Sequence, residues 1–193
     1  MKRLVHGTPI TPKRLLPQLK GKSFCVSYMH PEQLNETIEL VGDNEVLILD
    51  NGAFTAWKKG ITLDDAWWDG FYAWANAAMD KCPNAVCVIP DVINGNEADN
   101  LQLIADAIKG NKIKYPERAM AIWHIDKPWI HMMRGLGVLH KIGFDSADSC
   151  NIAMNHWRNK NNVVHHVAQF ADRLEAKVNN QELNELPLFN VAA

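Results

Sequence analysis

The sequence predicts an α/β fold around a parallel β-sheet, and two features of the chain support this class. Short apolar runs suited to buried strands alternate with amphipathic stretches suited to helices, as in right-handed strand–helix–strand units. Several apolar runs end in an acidic residue, at the strand ends where parallel α/β folds carry their sites. The chain has 193 residues, close to the lower limit of about 200 for an eight-stranded barrel. Two architectures therefore stay open: a parallel (β/α) barrel of the TIM type, reduced or incomplete, and an open sheet.

The order of elements follows from the apolar runs and from residues that start and stop helices. The predicted strands cover residues 23–29, 45–50, 85–89, 118–123 and 139–144. The predicted helices cover residues 13–19, 31–41, 62–81, 96–109 and 128–136, with one or two more between 150 and 178. Residues after 178 are polar and lack a periodic apolar face. We therefore expect one α/β catalytic domain at 1–178 and a flexible C-terminal tail at 179–193.

Two of these helices carry clear amphipathic patterns. The first is expected to have Thr62 as its N-cap, because Asp65 stands three residues later, the spacing of a capping box. Its inward face would hold Trp67, Phe71, Trp74, Ala75 and Ala78, so its tryptophans are predicted as core and not as a platform for bases. The inward face of the second helix would hold Leu101, Ile104, Ala105 and Ile108.

Composition excludes several classes of protein. No apolar run approaches the roughly 18 residues that a membrane-spanning helix needs, and no apolar segment of a secretory signal follows the first residues. The four cysteines are scattered, without the spacing of zinc ligands, at Cys25, Cys82, Cys87 and Cys150. We therefore expect reduced thiols in a cytoplasmic protein, with no metal and no cofactor.

The net charge of −2 does not mark a nucleic-acid binder, but the basic residues are unevenly distributed. Residues 1–22 hold six Lys or Arg and no acid, and residues 156–166 hold Arg158 and Lys160, also without an acid. Local basic faces of this kind can contact phosphates on a nearly neutral chain. A solvated surface explains each stretch equally well.

Reactive side chains end or directly follow the predicted strands. They are Tyr28, Asp50, Asp91, His124 and Asp145, with Asp148 three residues beyond the last. Because the carboxyl ends of parallel strands meet at one edge of a sheet, these side chains should converge on one pocket. Several carboxylates in a pocket carry a desolvation cost, which favours a site over a scaffold.

Each acid also has a structural interpretation that the sequence leaves open. Asp50 could cap the turn that follows it, and Asp91 could cap a helix that begins near residue 94. One of Asp145 and Asp148 could be the N-cap of the next helix. His124 could be a hydrogen-bonded histidine of the core.

Three of these segments resemble motifs of the tRNA-guanine transglycosylase superfamily, which includes phage and bacterial enzymes that insert 7-deazaguanines into DNA. Residues 50–54 (DNGAF) resemble the family's Asp-Ser/Thr-Gly-Gly-Phe turn. Residues 89–92 (IPDV) resemble the segment that carries the purine-recognising aspartate, and residues 143–147 (GFDSA) resemble the segment of the nucleophilic aspartate. The matches stand in family order. The family's zinc-binding cysteines have no counterpart, and Trp123-His124 lies nearest to its Gln-Gly strand end.

The resemblance implies a base-exchange glycosyltransferase that replaces guanine by a 7-deazaguanine, with DNA expected as substrate in preference to RNA. A carboxylate can attack a sugar C1′ through an oxocarbenium-like state while a second group protonates the leaving base. Asp145 is the candidate nucleophile, with Asp148 as its rival, and Asp50 is the acid/base or positioning group. Asp91 would accept hydrogen bonds from the N1–H and exocyclic amine of guanine, a planar bidentate pairing.

Four more residues complete the predicted pocket. Gly52 would let the backbone turn and approach the ligand closely, and Phe54 would form a flat wall. His124 and Tyr28 would line the same pocket at neighbouring strand ends.

The tail carries a second resemblance. Residues 185–189 (ELPLF) resemble the peptide that binds bacterial sliding clamps, Gln-Leu-x-Leu-Phe, with Glu185 in place of Gln. Such a peptide places Leu186, Leu188 and Phe189 into preformed apolar pockets. The alternative is a tail that packs on its own domain.

Two other classes of function compete with base exchange. The first is a hydrolase at the same carboxylates, either a base-removing glycosylase or a metal-dependent phosphoesterase. The second is a non-catalytic DNA-associated protein that is delivered by its tail.

Overall fold

The computed structural model describes residues 3–93, 95–122, 146–149, 167–169, 171, 172 and 175. Six strands lie in this part of the chain: β1 Arg3–Gly7, β2 Ser23–Ser27, β3 Leu47–Asp50, β4 Ala85–Val88, β5 Ala119–Met120 and β6 Ser146–Ser149. The α-helices are α1 Leu34–Leu40, α2 Ala53–Lys58, α3 Asp65–Lys81 and α4 Glu97–Ile108. Short 3₁₀ helices cover Lys13–Leu19, Pro31–Gln33 and Pro116–Arg118.

The strands form one parallel sheet in the order β5-β4-β3-β2-β1-β6. Neighbouring strands from β1 to β5 follow one another along the chain, and β6 returns to pair with the other side of β1. Parallel neighbours require crossovers, and helices occupy most of the segments between these strands. The α/β class is therefore confirmed. Over the described residues the sheet is not closed, since β5 and β6 stand at its two edges.

The two faces of the sheet bury different sets of residues. On one face Phe24, Val26, Leu47 and Leu49 join the main core with Phe71 and other residues of the helices. On the other face a smaller cluster is built from Val5, Ile48 and Val88, with Cys25, Val46, Val86 and Met120 against it. Successive strand residues point to opposite faces, so Asp50, two residues after Ile48, is placed on the face of the smaller cluster.

Helix α3 begins later than the sequence pattern predicts. Its N-cap is Asp64 and not Thr62, and the Asp64 carboxylate accepts a hydrogen bond from the Trp67 backbone N–H at 2.8 Å. Leu63 and Trp68 flank this cap and both pack in the main core, the arrangement of a hydrophobic staple. This packing favours Asp64 over Thr62, and the prediction of Thr62 was wrong.

The inward face of α3 is otherwise as predicted. Phe71, Ala75 and Ala78 are buried, and Trp67 and Trp74 are partly buried against the same core. These tryptophans are therefore core residues, as the helical spacing predicts.

Helix α4 begins at the predicted residue, and Ile104 packs against the main core as predicted, but two other residues of the predicted inward face do not. Asn96 and Asp99 form the full capping box, with both side chains accepting hydrogen bonds from the other residue's backbone N–H. Leu101 is 53% exposed and Ile108 is 38% exposed, so their assignment to the core was wrong. Ala107 is buried in their place, because docking on the sheet selects the face of a helix and the sequence pattern alone does not.

Two strands were not predicted. The strand β1 carries His6 and lies inside the sheet, between β2 and the edge strand β6. The strand β6 covers Ser146–Ser149, immediately after the run at 139–144. The predicted strand at 139–144, the helix at 128–136 and the tail at 179–193 lie outside the described residues.

Ion pairs tie the helical residues near 172 to the first two strands. Lys22 donates hydrogen bonds to Glu175 at 2.6 Å and to Asp172 at 2.7 Å, and the His6 ring lies 3.1 Å from Glu175. Burial alone would raise the pKa of Glu175, but the hydrogen bonds with His6 and Lys22 outweigh it and hold that pKa below its ordinary value. Lys13 is paired with Glu36 as well. Part of the basic stretch at 1–22 therefore stabilises the fold.

Among the described residues, none of the helices is long and apolar enough to span a membrane.

Candidate functional site

The first part of the candidate site is the turn after β3. The main-chain oxygen of Asp50 accepts a hydrogen bond from the Tyr28 N–H at 2.9 Å, which fixes the end of β3 against β2. The Asp50 carboxylate accepts a second bond, from the Gly52 N–H at 3.1 Å. Asp50 therefore does cap its own turn, as one interpretation of the sequence allowed. It is partly exposed, so its carboxyl group can also be reached from outside.

Asn51 joins two strand ends and is the residue that the sequence prediction missed. Its side chain is buried, and its Nδ2 donates to the carbonyl of Ile89 and to Oδ1 of Asp91, both at 2.9 Å. Its Oδ1 accepts from the Ala53 N–H at 2.8 Å. One amide side chain thus uses donor and acceptor together to hold the turn after β3 against the segment after β4. The signal in the sequence was a polar residue between an aspartate and a glycine at a strand end.

Asp91 is 6% exposed and lies at the same end of the sheet as Asp50. It does not cap the following helix, because the N-cap of α4 is Asn96. A buried carboxylate is costly unless it is hydrogen-bonded, and Asn51 supplies one such bond. The segment after β4 therefore carries a buried, hydrogen-bonded carboxylate that is not a helix cap.

Gly52 has a backbone conformation that a side chain would disturb. Its φ is +81°, in the left-handed region, which glycine adopts without strain. A Cβ at this position would stand 2.7 Å from Cγ of Met29 and 3.3 Å from its backbone nitrogen. The turn of the DNGAF segment therefore requires glycine on two independent grounds.

The two aromatic residues of the predicted pocket lie in different surroundings. Phe54 is 40% exposed in the first turn of α2, with its ring centroid 5.9 Å from that of Trp57. The ring of Tyr28 packs against α3, with its centroid 4.8 Å from that of Trp67 and 5.3 Å from that of Trp74. Tyr28 therefore contributes its backbone to the end of β3, and its ring belongs to the aromatic cluster on α3.

Asp148 lies inside β6, with its Cα in register with that of Val5. It is therefore a strand residue and not a helix N-cap, which removes one of its structural interpretations. Val5 belongs to the smaller cluster, on the face of the sheet where Asp50 is placed. Asp145 and His124 lie outside the described residues.

Two further observations concern the thiols and carboxylates of the described residues. Burial raises the pKa of Cys87 to about 12, so this thiol in β4 is neutral and a poor nucleophile. Within the described residues, no cluster of three or more His, Cys, Asp or Glu side chains could hold a metal ion.

The arrangement brings two carboxyl groups of different exposure to one end of the sheet. Asp91 is a buried acceptor, Asp50 is a reachable carboxyl group, and Asn51 holds their segments together.

Comparisons with protein-family models, curated proteins and solved structures found no match to this chain.

Proposed function

We propose that the protein is a base-exchange glycosyltransferase that replaces guanine in DNA by a 7-deazaguanine, through a covalent aspartyl–glycosyl intermediate. The observation that carries this proposal is the pairing of the Asp50 and Asp91 segments through Asn51 at one end of a parallel sheet. Two carboxylates of different exposure can take different roles in one pocket. The proposed DNA substrate implies action in the cytoplasm of a bacterium, or of a bacterium infected by a phage.

The topology supports a (β/α) barrel as the architecture behind this site. In such a barrel the strands follow in chain order, and the last strand pairs with the first. Strands β1 to β5 have that order, and β6 lies beside β1. The inner face of a barrel is filled by strand side chains, as Val5, Ile48 and Val88 fill one face here.

In the proposed reaction Asp145, or its rival Asp148 in β6, attacks C1′ of a deoxyguanosine. The bond between C1′ and N9 breaks, and the proton that N9 takes up comes from Asp50. The incoming base then attacks C1′ through its own ring nitrogen, gives its proton to Asp50 and releases the carboxylate of the nucleophile. Asp91 holds both bases by accepting from N1–H and the exocyclic amine.

A base-exchange assay tests the proposal directly. Double-stranded and single-stranded DNA would be incubated with the protein and isotope-labelled guanine, and the DNA nucleosides analysed by mass spectrometry. We expect label in deoxyguanosine. Free guanine without incorporation would show a base-removing glycosylase. Cleavage of the DNA strand that stops when a chelator is added would identify a metal-dependent phosphoesterase. Unchanged DNA would favour a non-catalytic DNA-associated protein.

Asp91→Ala should mainly weaken the binding of the base. Removing the acceptor leaves the guanine edge unpaired, which costs roughly 1–3 kcal/mol, so the KM for the incoming base should rise by about 5- to 150-fold. Asn51→Ala is the matched variant, since it leaves the Asp91 carboxylate in place but removes its hydrogen bond at 2.9 Å. It should raise the KM less than Asp91→Ala does. Equal affinity of the unsubstituted protein for guanine and adenine would contradict the role of Asp91.

The tail supplies a proposed partner, although it lies outside the described residues. A peptide of residues 181–193 should bind a bacterial sliding clamp at about micromolar strength, near 8 kcal/mol, because Leu186, Leu188 and Phe189 match its apolar pockets. Calorimetry would measure this affinity. Replacing Leu188 and Phe189 by alanine should abolish binding without changing base exchange on short oligonucleotides. Undiminished binding by that variant would contradict the motif.

A further inference from the structure

Helix α2 and the turn after it carry an exposed group of apolar residues beside the candidate site. Phe54, Trp57 and Ile61 are 40%, 48% and 44% exposed. Soluble proteins scatter single exposed apolar residues widely, whereas a contiguous group marks an interaction surface. These three residues lie within a segment of eight residues: Phe54 and Trp57 are in α2, and Ile61 is in the turn that follows it.

Two lysines stand among these residues. Lys58 and Lys59 are exposed, and the Lys58 ammonium lies 5.6 Å from the centroid of the Phe54 ring. The segment from Asn51 to Leu63 has no acid, so its two lysines give it a charge of +2. We name Phe54, Trp57, Lys58, Lys59 and Ile61 the aromatic–basic patch.

The aromatic–basic patch begins directly after the turn that holds Asp50 and Gly52 of the candidate site. Helix α2 starts one residue after Gly52, and its first turn carries Phe54. Trp57 follows one turn later, with the two ring planes inclined by 38°. At 1.5 Å per residue, the six residues of α2 extend about 9 Å from the turn that holds Asp50.

We propose that the aromatic–basic patch binds the unpaired strand of DNA next to the reacting nucleotide, a step that rests on the proposed function. Exposed rings with interleaved lysines are the combination that binds single strands without sequence preference, because bases stack on the rings and phosphates pair with the cations. A guanine inside a duplex cannot present its N1–H and exocyclic amine to the buried Asp91 unless it leaves its pair and the stack. The patch holds the neighbouring bases of such an opened strand.

Fluorescence anisotropy with a labelled single-stranded oligonucleotide tests this binding on the full-length chain. The single strand should bind more tightly than the duplex of the same sequence. Trp57→Ala should weaken binding by about tenfold, whereas Trp57→Phe should keep most of it. Leu101→Ala is the control, because Leu101 is 53% exposed on a different helix and should have no effect.

The lysines are tested through the salt dependence. Each phosphate contact on a single strand contributes about 0.7 to the slope of log affinity against log salt, so Lys58→Ala/Lys59→Ala should lower that slope by about 1.4. The control is Lys81→Ala/Lys109→Ala, which removes two lysines from the ends of α3 and α4. It should leave the slope unchanged.

Several results would overturn the proposal. One is an equal loss of affinity for the single-stranded oligonucleotide in Trp57→Ala and Leu101→Ala. The others are tighter binding of the duplex than of the single strand, and tighter binding of an RNA strand of the same sequence than of the DNA strand. A dimer of the chain that dissociates on Trp57→Ala, without any oligonucleotide binding, would identify the patch as a self-association surface. Asp145→Asn and Asp148→Asn should bind the oligonucleotide normally, so a failure of base exchange and a failure of the patch are separable.

Discussion

Asp145→Asn is expected to abolish base exchange and the covalent protein–DNA intermediate while leaving the fold intact. The amide keeps the size of the side chain but cannot attack C1′, so the rate should fall by about 10⁴-fold or more. A denaturing gel with labelled oligonucleotide would detect the covalent intermediate, and thermal unfolding would check the fold.

Asp148→Asn is the matched control, because it makes the same change three residues away. Asp148 lies inside β6, in register with Val5. The control variant should still form the covalent intermediate. If Asp145→Asn is active and Asp148→Asn is inactive, the nucleophile is Asp148 in β6. If both variants are active, the covalent mechanism is refuted.

Gly52→Ala is expected to destabilise the protein and to slow base exchange. A left-handed backbone costs a residue with a Cβ about 1–2 kcal/mol. Overlap with Met29, whose Cγ would lie 2.7 Å from the new atom, adds about 1–3 kcal/mol. The hydrogen bond from Gly52 to the Asp50 carboxylate would be displaced with the backbone, so the reaction should slow as well. Denaturant unfolding and the exchange assay measure the two effects.

Gly60→Ala separates the two causes. Gly60 has φ +66°, but a Cβ there would meet nothing within 4 Å. The free energy of unfolding of Gly60→Ala should therefore fall only by the backbone contribution, which is about half of the loss for Gly52→Ala. The Gly60→Ala variant should also retain base exchange. In the double variant Gly52→Ala/Met29→Ala, part of the overlap is removed, and the two losses should be less than additive. Equal losses for the two glycines would show that Met29 moves aside without cost.

The strand ends that carry Asp50 and Asp91 could be located in the sequence because short apolar β-rich runs precede them. Such runs need no knowledge of distant residues, since burial of both faces of a parallel strand dictates their composition. The N-terminus of α4 could be located for a similar reason. Asn96 and Asp99 are three residues apart and satisfy each other's backbone N–H groups.

Other features depended on residues far away in the chain. The segment that forms β1 contains Arg3 and His6, and it becomes a strand because β2 and β6 pair with its two sides. Leu101 and Ile108 fit an apolar stripe, yet α4 packs through Ile104 and Ala107 and leaves both exposed. Neither outcome can be read from local periodicity, since each depends on which partner surface the segment meets.

The α/β class, the alternation of strands and helices, and the acids at strand ends can be read from the amino-acid sequence, because these depend on interactions over a few residues. The hydrogen bond from Asn51 to Asp91, across 40 positions of the chain, is visible in the folded protein alone. The tertiary structure also decided that the ring of Tyr28 joins the aromatic cluster on α3 and that β6 lies beside β1. Contacts between distant segments are fixed by how the whole core packs, and that packing is a property of all the elements together.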